Sequence, residues 1–456
     1  MLRLRLLPLI LGSTLLSAAE PASLNFPKID YKRRVLANGL EVYSIEDHAT
    51  PTVAVHVWYR VGSKDDPEGR SGFAHLFEHM MFKSTKNMPS EMLDRLTEDV
   101  GGWNNATTFE DATPYYEVVP SNYLESILWA EAERMGSLKV DEAAFGSERD
   151  VVKEEFRYRI LAPPYGRLFY AMVRNTFAKH PYRRPGIGSI EDLDAATIED
   201  VRRFHATHYR PDNAVLIVAG DFDQKQLDGW VDKYFAPIAK PDLPIPRVTV
   251  KEPARAEEIR VVEKVPNVPL PAVAMTWLAP AASHADSAAL EIAATILGRG
   301  ESSRLYQSLV YKQKIAQEVE ASAELMKDLG FFAVFAIMSS DATAEAGEAA
   351  LRAEINALAE KPVPAAELAK AKNLLITEAL KERETVNGKA FALGMAIVIE
   401  GDAADANRSL ASLQAVTAAD VQRVAQTWLA KTKAAVISYV AADEAEEVAV
   451  EGEAGR

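Results

Sequence analysis

The chain repeats itself once at long period, and this constrains its fold more than any other feature. Pro51-Thr52-Val53-Ala54-Val55-His56-Val57-Trp58 is answered by Leu270-Pro271-Ala272-Val273-Ala274-Met275-Thr276-Trp277, and Thr197-Ile198-Glu199-Asp200-Val201 by Thr417-Ala418-Ala419-Asp420-Val421, at offsets of 219 and 220 residues. So long a period means a duplicated domain, since solenoid units run about 20–50 residues. Pro237, Pro241, Pro244, Pro246 and Pro253 mark a linker at 237–256 between a first domain at 20–236 and a second at 257–442. In each half, runs such as Leu40 to Ile45 and Val53 to Tyr59 predict strands, amphipathic stretches predict helices, and a β-branched run closes the half at Val215 to Val218 or Ala435 to Val440. The expected class is α+β: two homologous sandwich domains in tandem, with helices packed on mostly antiparallel sheets.

The ends read differently from the body. Residues 1–19 carry Arg3 and Arg5, an apolar run from Leu6 to Leu16, and Ser17-Ala18-Ala19 before Glu20, the pattern of a signal peptide cleaved near Ala19. The run is too short to span a bilayer comfortably, so export to a bacterial periplasm is expected, with no stable membrane insertion afterwards. A mitochondrial presequence is the rival reading, but those are Arg- and Ser-rich amphipathic helices. Residues 443–456, with five glutamates, are expected to be a disordered acidic tail. With 66 acidic and 51 basic residues the net charge is -15, which argues against nucleic acid as a partner. The absence of cysteine excludes disulfides, thiolate metal sites and a cysteine nucleophile.

Chemistry is concentrated in Gly72-Phe73-Ala74-His75-Leu76-Phe77-Glu78-His79-Met80-Met81-Phe82. On a helix, His75 and His79 share a face and both aim at one ion, while Glu78 reaches a water beside it. The order is that of the inverted zinc peptidases, with the acid before the second histidine. Burying three ionisable groups among apolar neighbours is costly unless a cation compensates them. A catalytic zinc takes three protein ligands and leaves a place for water. The third is sought in Glu148-Arg149-Asp150-Val151-Val152-Lys153-Glu154-Glu155-Phe156, where Glu148 and Glu155 lie two helical turns apart on one face. Glu155 is placed to bind, with Glu148 further along. Taken alone, this stretch also reads as a solvated acidic helix.

These segments resemble the pitrilysin/insulinase family of zinc peptidases, in the branch that includes the mitochondrial processing peptidase and its bacterial relatives. Also matching are Gly101-Gly102-Trp103-Asn104-Asn105-Ala106-Thr107, Thr113-Pro114-Tyr115-Tyr116, His180-Pro181-Tyr182, Pro185-Gly186-Ile187-Gly188 and His208-Tyr209-Arg210-Pro211-Asp212-Asn213, in the family's order over residues 31 to about 440. The resemblance implies one zinc ion per chain held by His75, His79 and Glu155, Glu78 as base, and Glu148 assisting. It places an exposed edge strand at Asn104 to Thr108, centred on Asn105, Ala106 and Thr107, to which an extended peptide substrate adds as a further strand.

The second half departs from the first. The offset puts Ala294, Leu297 and Gly298 where the first half has His75, Glu78 and His79, so it holds no zinc. In the family this domain faces the first across a chamber and supplies an arginine and a tyrosine to the scissile peptide. Here those positions hold Val310 and Gln317, and Arg304 and Tyr311 keep the seven-residue separation only in a shifted register. A homologous metal-free subunit supplying the pair in a heterodimer is therefore expected; the alternative is a homodimer that relies on zinc. The other function class is a non-catalytic peptide-binding or assembly subunit of the same fold, against which the intact donor set argues. His205 and His208, lacking a nearby acid, are expected as surface residues.

Overall fold

The computed structural model describes residues 26–442, so the expected signal peptide and acidic tail lie outside the described residues. The first sheet comprises β1 (Lys32–Val35), β2 (Glu41–Glu46), β3 (Thr52–Tyr59), β4 (Trp103–Ala106), β5 (Thr113–Pro120) and β6 (Ala214–Gly220), in the order β1-β2-β6-β3-β5-β4. The second comprises β7 (Ile259–Val265), β8 (Ala272–Ala279), β9 (Ala316–Leu325), β10 (Gly330–Met338) and β11 (Ala435–Ala441), in the order β7-β11-β8-β10-β9. Without β1 the two orders correspond strand for strand, as a duplication requires. Both sheets are mixed: β2 with β6 and β7 with β11 run parallel, and the other neighbours antiparallel. No helix or strand lies between Tyr234 and Ile259, the stretch that holds the prolines. Among the described residues no helix is long and apolar enough to cross a membrane.

Successive side chains on a strand face opposite sides, and here both sides are buried, which explains strands that read as continuous apolar runs. On β3, Val53, Val55, Val57 and Tyr59 enter a core shared with the helices of the first half, among them Phe73–Met80 and Leu124–Ser137. Ala54 and Trp58 point the other way, onto Val386, Ala390 and Leu393 of the helix Val386–Met395 from the second half. The exchange is reciprocal. The helix Gly166–Thr176 of the first half lays Leu168, Ala171 and Met172 against Ala274 and Ile437 of the second sheet. These two helices are themselves counterparts in the duplication, so each half covers the outer sheet face of the other.

One glycine sets the closeness of that packing. A Cβ on Gly394 would meet the Trp58 indole at 2.2 Å, and Trp58 is fixed between Phe109 and Phe391 with no exposure. Replacing a mid-helix glycine by alanine ordinarily stabilises by up to about 1 kcal/mol. Gly394→Ala is expected instead to cost about 1–3 kcal/mol through overpacking, read as a lower urea midpoint.

Candidate active site

The helix Phe73–Met80 starts where two glycines let backbones touch. Gly72 has φ 92°, and a Cβ on it would sit 2.7 Å from the Ile187 carbonyl; a Cβ on Gly188 would sit 2.3 Å from the Ser71 carbonyl. The Pro185–Gly188 motif thus seats the start of the histidine helix. Asp66 caps that helix, its carboxylate accepting from the Gly72 N–H at 2.7 Å and the Ala74 N–H at 2.9 Å. Burial pushes its carboxyl up to about 7 against those two bonds. No local signal in the sequence marks Asp66, which reaches the cap across a loop.

One turn apart, His75 and His79 stand with ring centroids 4.9 Å apart. The helix Glu142–Phe156 crosses beside them and brings in both glutamates. Glu155 Oε2 lies 3.6 Å from His75 Nε2 and 3.3 Å from His79 Nε2. Three donors around a tetrahedral ion at about 2.1 Å stand about 3.4 Å from one another, so this donor set fits zinc. It is the one such metal-ligand cluster among the described residues. Glu148 Oε2 lies 3.6 Å from His79 Nδ1, and Lys83 Nζ holds its other oxygen at 2.8 Å. A carboxylate behind a ligating imidazole orients the ring and fixes its tautomer. Lys83 was not anticipated, although it sits one turn beyond His79.

The electrostatics divide the two histidines. Burial, aided by the charge of His79, pushes His75 down to about 4, with Glu155 opposing. For His79 burial acts downward too, but Glu148 and Glu155 outweigh it and drive the ring up to about 9. Glu155 is held low by the bond to His79, against burial. Glu148 is raised by burial but held below the usual range by His79 and Lys83. Glu78 Oε2 accepts from the Thr108 hydroxyl at 2.5 Å, and burial raises its carboxyl above the ordinary range against that bond.

Thr108 follows β4, which is an edge among the described strands, paired there with β5 alone. The Thr107 N–H donates inward to the Pro114 carbonyl at 3.1 Å, so by alternation the Ala106 N–H faces the open side. It is taken there by Asn105 Oδ1 at 2.8 Å, while the Thr107 hydroxyl bonds the Tyr116 hydroxyl. Asn104 ties the strand to the neighbouring helix through Asp94 and Thr97. The open edge therefore runs from Asn104 through Ala106 to Thr108, ending at Glu78.

Two other expectations meet different surroundings. Arg304 is held in a two-pronged pair with Glu367, at 2.8 and 2.7 Å, while Tyr311 is 67% exposed. His208 is buried and His205 half-buried, where surface positions were expected. His205 stacks on Phe77 at 5.7 Å and His208 packs on Phe204, and burial pushes both down to about 4. A neutral imidazole is cheap enough to bury that no acid is needed beside it. In the second half, Ala294 and Leu297 are core residues and Gly298 presses on the backbone of Ala321, so packing fills the place of a metal site.

A family model described as Insulinase (Peptidase family M16) matches residues 41–188, the segment holding His75, His79 and Glu155, and one described as Peptidase M16 inactive domain matches residues 195–375. The zinc protease PqqE of Helicobacter pylori is 34% identical over 348 residues, covering 76% of this chain and 77% of that protein. The chain belongs to the insulinase (M16) family. It is a zinc metalloprotease by the donor set and by these relatives. The crystal structure of a protease from Helicobacter pylori superposes with a TM-score of 0.87 at 30% identity, covering 90% of this chain and 99% of that one. The probable mitochondrial-processing peptidase subunit beta of Arabidopsis thaliana is 26% identical over 404 residues, 86% of this chain and 75% of that protein. The M16 model described as inactive falls on a part of the chain that holds none of His75, His79 and Glu155.

Proposed function

We propose that this M16 protease hydrolyses extended or unfolded peptides, with His75, His79 and Glu155 holding one zinc ion and Glu78 as the general base. The observation that carries the proposal is the convergence of those three donors beside Glu78, at the end of an open strand edge. A substrate strand adds along β4, its carbonyl displacing Asn105 Oδ1 from the Ala106 N–H, with Thr107 beside it. Pairing through main chain tolerates varied sequences but requires an extended peptide. When bound, zinc polarises the scissile carbonyl and acidifies the attacking water. Glu78 takes the proton from that water and returns it to the leaving amine. Glu148, braced by Lys83, keeps the His79 ring turned toward Glu155.

The proposal extends to assembly and location. Arg304 is spent on Glu367, and Val310 and Gln317 stand at the matching places, so these positions offer no donor pair for the developing oxyanion. A homologous metal-free subunit enclosing a chamber with it supplies the Arg/Tyr pair. Loss of one such donor typically costs about 100- to 1000-fold in rate. Export to the periplasm follows from the reading of residues 1–19. The test is cleavage of an unstructured, internally quenched peptide by the purified chain, with metal analysis. One zinc per chain and activity abolished by a chelator and restored by zinc are expected; chelator-resistant cleavage refutes the metal mechanism, and full activity as a monomer refutes the heterodimer.

A further inference from the structure

The metal-free half of the chain touches the loop that carries Thr108. That loop, Thr107 to Ala112, is held from the first half by the Ser63 N–H on the Phe109 carbonyl and the Lys64 N–H on the Glu110 carbonyl, each at 3.1 Å. At its far end Asp111, 4% exposed, accepts from Lys64 Nζ at 2.6 Å, the Tyr182 hydroxyl at 2.7 Å and the Lys327 N–H at 3.0 Å. Lys327 and Asp328 form the tip of the β9–β10 hairpin, in the second half. Lys64 Nζ reaches Asp328 as well, at 2.7 Å, and the Asp328 N–H donates to the Tyr182 hydroxyl at 3.1 Å. The other side of the loop is also gripped from the second half, where Phe391 packs edge-on against Phe109 at 6.3 Å.

We infer that Lys64, Asp111 and Asp328 are positioning residues through which the metal-free half fixes the Thr108 hydroxyl against Glu78. Only Phe109 and Glu110 separate Asp111 from Thr108, and this short span is tied at both ends, so a shift of the hairpin tip displaces the hydroxyl. A buried carboxylate with three donors has one low-energy placement, whereas a hairpin tip without the Asp328 carboxylate loses its ion pair with Lys64 and keeps the two backbone N–H bonds and the Lys327 ammonium on the Val398 carbonyl. The second half thereby acts on the chemistry without contributing a ligand. A contact that merely glued the halves together would change stability and leave the Glu78 to Thr108 alignment alone.

The inference rests on Glu78 being the base, and a double-mutant cycle tests it in whichever assembly carries the zinc-dependent activity. Asp328 is partly exposed, so Asp328→Ala is expected to fold. It should lower kcat about tenfold on the quenched peptide, since small misplacements of catalytic groups are costly, with KM and zinc content unchanged. Asp328→Glu should restore kcat to within about threefold. Thr108→Val should lower kcat by a similar factor, and adding Asp328→Ala to it should change kcat less than about twofold, because both act through one contact. Losses that multiply, an Asp328→Ala kcat within about twofold of the parent, or a loss that tracks zinc or unfolded protein would each overturn the inference. Failure of the base assignment looks different: Glu78→Gln would itself remain active.

Discussion

Glu78→Gln is expected to lower kcat by about 10²–10⁴-fold while zinc stays at one ion per chain, the range typical of a lost general base. The substitution preserves shape, and the remaining amide oxygen still accepts from the Thr108 hydroxyl. Glu78 lies outside the His75, His79 and Glu155 set, so metal affinity has no reason to fall. Burial already raises its carboxyl, so a neutral amide there does not cost folding free energy. KM should hold, since the glutamine neither removes nor adds a strand-pairing group. The contrasting variant is His79→Ala, which loses a ligand and should lose zinc and activity together. Metal analysis beside steady-state kinetics separates the two, and a zinc-loaded Glu78→Gln enzyme within tenfold of the parent would end the assignment.

Much of the active site was legible because a helix converts spacing into geometry. The interval from His75 to His79 and that from Glu148 to Glu155 each return to the same face, and the structure brings both faces together. The duplication was legible from matching segments, and the strand orders repeat it. The helix exchange was not. An apolar stripe on Gly166–Thr176 or Val386–Met395 says that the helix is buried, but not against which sheet. Nor does a sequence reveal that Asp66 and Asp111 reach across loops to hold the two segments carrying Glu78 and Thr108. Such long-range polar ties leave no period to read. His205 and His208 differ for the opposite reason: the lack of a nearby acid suggests exposure, while packing on Phe77 and Phe204 buries His208 and half-buries His205.

Arg134→Met is expected to be the most destabilising single change away from the site, costing about 3–5 kcal/mol, the range for an uncompensated buried charge. Arg134, Glu117 and Glu131 are all without exposure, with the Arg134 guanidinium 2.8 Å from Glu117 and in contact with Glu131. Burial, with Glu131 beside it, pushes the Glu117 carboxyl well up, and the Arg134 guanidinium opposes that rise. Methionine fills the space but leaves the acids facing one another. Without the guanidinium the Glu117 carboxyl is pushed further above its unfolded value, so stability is retained at low pH and lost as pH climbs through the folded value. The urea midpoint of the variant should therefore fall more at pH 8 than at pH 5. Against a typical total of about 5–15 kcal/mol the loss is large, and it reaches the metal helix, because the guanidinium lies over the Tyr115 ring, whose hydroxyl bonds the Phe77 carbonyl at 3.1 Å. Adding Glu117→Gln and Glu131→Gln should recover part of the loss by removing the stranded charges. An Arg134→Met protein within about 1 kcal/mol of the parent, or one indifferent to pH, would show that the cluster is not held together by its guanidinium.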